Sequence, residues 1–238
     1  MKGHFGRRRK LSIMASSLLL GGGVMLTAKE VSDQPATGTE TKALALKAEK
    51  AFSGGNLRDA EILYSKALES SPSNVPIMVS LAAVKTRLGN QEGSNACLKR
   101  ALKLDLESAP AWLLLGMNAL EQKHLEEALA DLMQAVLRDE RNPRAHNYLG
   151  IAAGRKGWND FSEQELRRAV ELDPNYADAN FNLAVFYLSR TPPLLEQGRR
   201  HYQRALDLGA SRDPAIDAQL AKAVASPTAA PASSAPLP

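Results

Sequence analysis

The side chains best suited to catalysis or metal binding are scattered along this 238-residue chain. Its four histidines are His4, His124, His146 and His201, and its single cysteine is Cys97. A zinc site or an activated nucleophile would need some of these residues at a defined spacing, such as H-E-x-x-H, and no such spacing occurs. The phosphate-binding motif G-x-x-x-x-G-K-[ST] and the nucleophile motif G-x-S-x-G are also absent. The sequence therefore predicts no catalytic residue, no metal site and no cofactor.

The excess of positive charge comes from the amino terminus. The formal net charge is +4 and the isoelectric point is about 9.2. However, Lys2 and residues 7–10 supply five positive charges, and residues 1–28 contain no Asp or Glu. The rest of the chain has 25 basic and 26 acidic residues. Because a phosphate-binding surface needs clustered positive charge, we do not expect nucleic acid as a partner.

Residues 1–28 have the pattern of an export signal. A basic segment, residues 1–10, precedes 18 uncharged residues, 11–28. This length lies between the core of a cleaved signal and the roughly 20 residues that span a bilayer, so a signal peptide and an amino-terminal membrane anchor remain alternatives. In both cases we expect the repeat domain outside the cytoplasm, in the periplasm or anchored at the inner membrane. Membrane contact is expected only through this segment, if it is not cleaved.

The segments on either side of the folded part have different compositions from it. Residues 29–40 are predicted to be a linker, and residues 226–238, rich in Pro, Ala and Ser, a disordered tail. The part between them, 41–225, is rich in Ala and Leu and has no alternating run of β-branched residues. This composition favours an all-α fold.

A period of 34 residues runs through the folded part. It divides the chain into the blocks 41–74, 75–108, 109–142, 143–176 and 177–210. The eighth place of every block holds a small residue, namely Ala48, Ala82, Gly116, Gly150 and Ala184. Packed helices need small side chains where their backbones approach, so the pattern indicates helix pairs that stack along the chain.

These residues resemble the tetratricopeptide repeat, whose unit is a pair of antiparallel helices of 34 residues. The resemblance implies an all-α, right-handed superhelical solenoid of five repeats. Residues 213–224 begin with Asp213-Pro214 and place Ile216 and Leu220 at helical spacing, which predicts a capping helix after the last repeat. The fit departs from the family in the fifth repeat, where Thr191-Pro192-Pro193 lengthens the helix–helix turn by two residues.

The same resemblance implies a concave binding groove lined by the first helix of each repeat. Its places in the third to fifth repeats are occupied by Leu113, Met117, Leu120, Arg144, Asn147, Ile151, Arg155, Phe181, Asn182 and Val185. The apolar members would suit a helix or an extended peptide, the asparagines could bond a peptide backbone, and the arginines could pair with acidic side chains. The alternative for each residue is a structural role, packed between repeats or against the tail of the chain itself.

The sequence therefore favours a non-enzymatic protein–protein interaction scaffold or adaptor in the cell envelope. It would bind a peptide or helix of a protein partner in the concave groove. The alternative is a membrane-tethered structural spacer that assembles into homo-oligomers. No motif identifies the partner.

Overall fold

The computed structural model describes residues 38–225, which form eleven α-helices separated by short turns. The helices are α1 (Gly38–Ser53), α2 (Leu57–Ser70), α3 (Val75–Arg87), α4 (Gln91–Leu104), α5 (Ala109–Glu121), α6 (Leu125–Arg138), α7 (Pro143–Lys156), α8 (Asn159–Leu172), α9 (Ala177–Ser189), α10 (Leu195–Asp207) and α11 (Pro214–Ala225). No helix within 38–225 is long and apolar enough to cross a membrane. The predictions for 1–28, for most of 29–40 and for 226–238 fall outside the described residues.

The predicted linker 29–40 ends too late, because α1 already begins at Gly38. The acidic side chain of Glu40 lies in the first turn of this helix. Negative charge interacts favourably with the amino-terminal end of a helix dipole, which helps the helix begin before the repeat register does.

Consecutive helices pack as five pairs, from α1–α2 to α9–α10, and α11 packs on the last pair. The second helix of each pair contacts the first helix of the next pair, so the pairs form a continuous stack. This arrangement confirms the predicted all-α solenoid of five repeats with a capping helix. We call α1, α3, α5, α7 and α9 the first-helix row, and α2, α4, α6, α8 and α10 the second-helix row.

Glycine at the eighth place allows the two helices of a pair to approach closely. A Cβ atom on Gly116 would lie 2.5 Å from Cγ of Leu132, and one on Gly150 would lie 2.7 Å from Cγ of Leu166. Real Cβ atoms do not approach other carbon atoms so closely. The predicted role of these small residues in helix packing is therefore seen directly in the structure.

The turn inside each of the first four repeats needs a residue with positive φ. Gly157 fills this place in the fourth repeat with a φ of 89°, and Lys123 fills it in the third with a φ of 65°. A side chain in this left-handed region is strained, by about 1–2 kcal/mol. In the fifth repeat, the turn between α9 and α10 is longer, as the sequence predicted.

The two rows differ in how much of their surface they bury. Neighbouring first helices contact one another directly, as α3 does with α5, α5 with α7, and α7 with α9. Nine of the 13 residues of α5 are buried. By contrast, only four of the 14 residues of α6 are buried, all on one side of the helix. The first-helix row therefore forms most of the core, and the second-helix row keeps a wide exposed surface.

The carboxyl-terminal end of the stack is covered by α11. Oδ1 of Asp213 accepts hydrogen bonds from the backbone N–H groups of Ala215 and Ile216, at 2.8 and 3.3 Å, and so caps the helix. The side chain of Ile216 is buried in a cluster with Leu188 and Tyr202. At the other end of the stack, α1 buries only two residues.

Candidate functional site

The apolar positions of the predicted groove fall into two groups. Leu113 and Leu120 are buried, with exposed fractions of 6% and 1%, and they belong to the core between the third and fourth repeats. They offer a ligand almost no surface, and their packing between repeats is the structural role given above as the alternative. Direct contact between neighbouring first helices explains their burial, because it covers part of each helix that the groove would need.

The other four apolar positions keep part of their surface accessible. Met117 and Ile151 are half-buried at the edges of the core clusters. Phe181 and Val185 are also half-buried and pack against the cluster that includes Leu220 of the capping helix. These four residues can still contact a partner, although α11 covers one end of the surface that they form.

The polar positions of the predicted groove mostly link neighbouring first helices. Asn147 is buried, and its Oδ1 accepts a hydrogen bond from Nδ2 of Asn182, at 2.9 Å. Nη1 of Arg155 donates to the backbone carbonyl of Leu120, at 3.1 Å. These contacts tie α7 to α9 and α7 to α5. The Oδ1 atom of the buried Asn147 is therefore already paired within the stack.

Arg144 is half-buried near two tyrosines, Tyr148 and Tyr176. Burial raises the pKa of both phenols, and the positive charge of Arg144 opposes that rise. Both phenols are therefore neutral at physiological pH, and the guanidinium of Arg144 lies next to them at the start of α7. A partner with an acidic side chain would complement it.

A second concave surface, which the sequence analysis missed, lies in the second-helix row. It is a cavity of about 850 Å³ between α6 and α8, and we call it the outer groove. Its apolar lining consists of Met133, Val136, Leu137, Leu149 and Phe161. Met133 and Leu137 are one helical turn apart, on the part of α6 away from the buried Ala128 and Leu132. Their spacing was the only signal that could have indicated the groove.

A buried ion pair lies at the floor of the outer groove. Nδ1 of His146 is 2.7 Å from Oε2 of Glu165, and Nε2 is 3.0 Å from the backbone carbonyl oxygen of Glu140. Only the protonated ring can donate to both oxygens. Burial lowers the pKa of His146, but these two hydrogen bonds outweigh it, so the pKa is raised overall. The charges of His146 and Glu165 thus neutralise each other within the floor of the outer groove.

Outside the outer groove, α6 also carries an acid in an unfavourable position. Asp131 is half-buried, and burial together with the neighbouring Glu127 raises the pKa of its carboxyl group to about 6, against the opposing effect of Lys99. Within residues 38–225, no group of three or more His, Cys, Asp or Glu residues could hold a metal ion.

Comparison with known proteins identifies the family. Two family models described as tetratricopeptide repeat match the chain, one over residues 81–144 and 113–157 and the other over 165–207. Together they cover just over half of the chain. A curated relative, the general transcriptional corepressor ssn6 of Schizosaccharomyces pombe, is 27% identical over 122 residues, which are 49% of this chain and 11% of that protein. The chain spans only about a tenth of the length of the curated relatives that it matches.

Solved structures show the same fold. The pilF protein of Pseudomonas aeruginosa has a TM-score of 0.69 and 21% identity, over 78% of this chain and 84% of that one. YrrB, described as a TPR protein with an unusual peptide-binding site, has a TM-score of 0.55 and 22% identity, over 75% of this chain and 90% of that one. With the helix-pair stack and the family matches, these similarities establish that the chain belongs to the tetratricopeptide repeat family, whose fold supports a protein–protein interaction scaffold.

Proposed function

We propose that the chain is an adaptor of the cell envelope that holds a peptide or helix of a partner protein against the first-helix row. The observation that carries this proposal is the set of accessible side chains on that row. Met117, Ile151, Phe181 and Val185 offer apolar contacts, and Arg144 adds a positive charge at the start of α7 in the same row. This combination fits a segment with apolar residues and an acidic side chain.

The proposed location rests on residues 1–28. Five positive charges followed by 18 uncharged residues are typical of an export signal. Whether the segment is removed or retained as an anchor, it would put the scaffold on the outer side of the inner membrane. YrrB, which has a similar stack of helix pairs, is described as having an unusual peptide-binding site. This description supports the use of such a stack for peptide binding.

The binding face is tested by a double substitution, Met117→Glu/Arg144→Glu, in the full chain. A matched control, Ile62→Glu/Arg58→Glu, makes the same change of charge at exposed positions of α2. Cross-linked capture from membrane and periplasmic fractions should recover a partner with the wild type and the control, and not with the Met117/Arg144 variant. Circular dichroism establishes that all three are equally helical. Equal capture of the same partner by the folded variant would show that the first-helix row is not the binding face.

The location is tested by cell fractionation and by protease treatment of spheroplasts. The repeat domain should be digested from outside while a cytoplasmic marker is protected. A repeat domain that stays protected until the cells are lysed would contradict export, without affecting the assignment of the binding face.

Self-assembly into a homo-oligomeric spacer is the competing function. Light scattering over a range of protein concentrations distinguishes the adaptor from the spacer. An adaptor is expected to keep the mass of a monomer at every concentration. A mass that rises with concentration, together with recovery of only the chain itself after cross-linking, would favour the spacer.

A further inference from the structure

We propose that the outer groove is a second binding site, and that it takes an amphipathic α-helix of a partner protein with a basic and an acidic side chain two turns apart on one edge. This site is separate from the first-helix row and does not depend on the function proposed above. Its walls are formed by the other row of helices, with only His146 and Leu149 of α7 in its floor, and it has its own set of accessible side chains.

The shape of the outer groove suits a helix. Its two walls are α6 and α8, each 14 residues long, or about 21 Å at 1.5 Å per residue. Because both walls are second helices of neighbouring repeats, they run in the same direction, and a rod-shaped occupant can lie along them.

The wall formed by α6 is unusually apolar for an exposed surface. Leu137 is 67% exposed and Met133 is 49% exposed, and the two stack one turn apart along the groove. Phe161 faces them from α8 and is half-buried. Covering these side chains would remove apolar surface from water, which is the usual driving force for docking a helix into a groove.

The wall formed by α8 determines the charge pattern of the occupant. Asp160 and Arg167 line the groove and are seven residues apart, which is about two turns and roughly 10 Å along the helix. Neither side chain makes a hydrogen bond or an ion pair with another residue of the described part of the chain. The other cations of the lining are already paired, since Nη1 of Arg168 is 3.5 Å from Oε2 of Glu171 and His146 is paired with Glu165.

Two further carboxylates line the outer groove. Oε1 of Glu163 accepts a hydrogen bond from the hydroxyl of Tyr187, at 3.2 Å, and Glu140 follows the end of α6. Arg167 is therefore the unpaired cation among the described residues of the lining, and it is the place for an acidic side chain of the occupant.

The floor of the outer groove does not contribute to this charge pattern. His146 and Glu165 neutralise each other beneath the groove, so the floor presents no free charge to a ligand. An occupant therefore places apolar side chains against Leu137, Met133 and Phe161. It directs a basic side chain to Asp160 and an acidic one to Arg167, and these charges select among helices that are otherwise equally apolar.

The test uses the full chain and two synthetic helical peptides about as long as α8, each with the same apolar face. One peptide carries Lys and Glu seven residues apart on one edge, and the other carries Lys at both places. Fluorescence anisotropy of the labelled peptides should show that the wild type prefers the Lys/Glu peptide. The Arg167→Glu variant should prefer the Lys/Lys peptide, whichever direction the helix takes in the groove.

Leu137→Glu tests the apolar wall, and because Leu137 is exposed the substitution is compatible with folding. We expect it to weaken binding of the Lys/Glu peptide by about tenfold or more, as loss of a central apolar contact does. Ile62→Glu, on the exposed surface of α2, and Met117→Glu/Arg144→Glu, on the first-helix row, should leave the affinity within about twofold. These controls separate failure of this proposal from failure of the adaptor proposal.

Three results would overturn the proposal. The first is no measurable binding of either peptide to the wild type, and the second is equal weakening by Leu137→Glu and Ile62→Glu. The third is a chain that dimerises in light scattering and becomes monomeric with Leu137→Glu, which would assign the outer groove to a second copy of the chain.

Discussion

The two rows consist of helices of similar length with the same period, but they bury very different shares of their side chains. In the third repeat, α5 buries nine of its 13 residues, whereas α6 buries four of its 14. The first-helix row is packed on three sides, by its own partner helix and by the first helices before and after it. The difference indicates that the first-helix row carries most of the stability, and that the second-helix row is freer to vary and to acquire binding surfaces.

The strongest test of this comparison replaces one leucine in each row with alanine. Leu120 is 1% exposed on α5, and Leu137 is 67% exposed on α6. Leu120→Ala should lower the free energy of unfolding by about 2–5 kcal/mol, because it leaves a cavity in the core. Leu137→Ala should change it by less than about 0.5 kcal/mol. Urea denaturation followed by circular dichroism measures the free energy of unfolding of both variants. Similar losses at the two positions would contradict the conclusion that the first-helix row carries most of the stability.

The next largest effect is expected where the two rows touch. Gly116→Ala puts a methyl group 2.5 Å from Cγ of Leu132 and 3.1 Å from its backbone nitrogen. The expected loss of stability is about 1–3 kcal/mol, although alanine has the higher helix propensity. Gly38→Ala is the matched control, because a Cβ atom there meets no other atom within 4 Å. A thermal midpoint that falls for Gly116→Ala alone would locate the strain at the contact between α5 and α6.

A substitution in the second-helix row should instead stabilise the fold, in a way that depends on pH. The raised pKa of Asp131 means that the folded chain holds this proton more tightly than the unfolded chain. The group therefore favours folding below the unfolded pKa of about 3.9, and this contribution is lost as the pH rises through about 6.

Asp131→Asn should accordingly raise the free energy of unfolding at pH 7 by roughly 1–2 kcal/mol, allowing for partial exposure of the carboxyl group. The gain should become much smaller near pH 4. Asp59→Asn, at an exposed position of α2, is the control with the same change in charge. Urea midpoints at the two pH values give the comparison, and a gain that is independent of pH would show that ionisation of Asp131 is not its cause.

The smallest effect is expected at the turn between the rows. Lys123→Gly should stabilise the chain by about 0.5–1 kcal/mol, since relief of the strained φ exceeds the greater chain entropy of glycine. The reciprocal change at the equivalent place, Gly157→Lys, should destabilise it by a similar amount. If both substitutions lower the thermal midpoint, the side chain of Lys123 contributes a contact that outweighs its backbone strain.

Much of the fold could be predicted because it depends on contacts that every repeat makes within itself. Gly116 against Leu132 and Gly150 against Leu166 recur at the same places, so the period reveals them. The start of α1 was misplaced because it precedes the first repeat, and no repeated position marks it.

The binding surfaces were harder to predict because they depend on contacts between repeats. Leu113, Leu120 and Asn147 occupy groove places in the family pattern, but the approach of neighbouring first helices buries them here. The outer groove depends on the distance between α6 and α8, which no single repeat encodes. His146 and Glu165 are separated by 19 residues, a spacing that suggests no interaction until α7 and α8 are packed together.

The unequal ends of the stack have a mechanical consequence. At the amino-terminal end, α1 packs along α2 as one of the five pairs, whereas at the carboxyl-terminal end α11 is a single helix, held on the last pair mainly through the buried Ile216. In a stack of this kind each repeat is held mainly by its neighbours. Under a pulling force applied from the carboxyl-terminal side, α11 would detach first and the pairs would follow in order, so that the array would give way stepwise from one end.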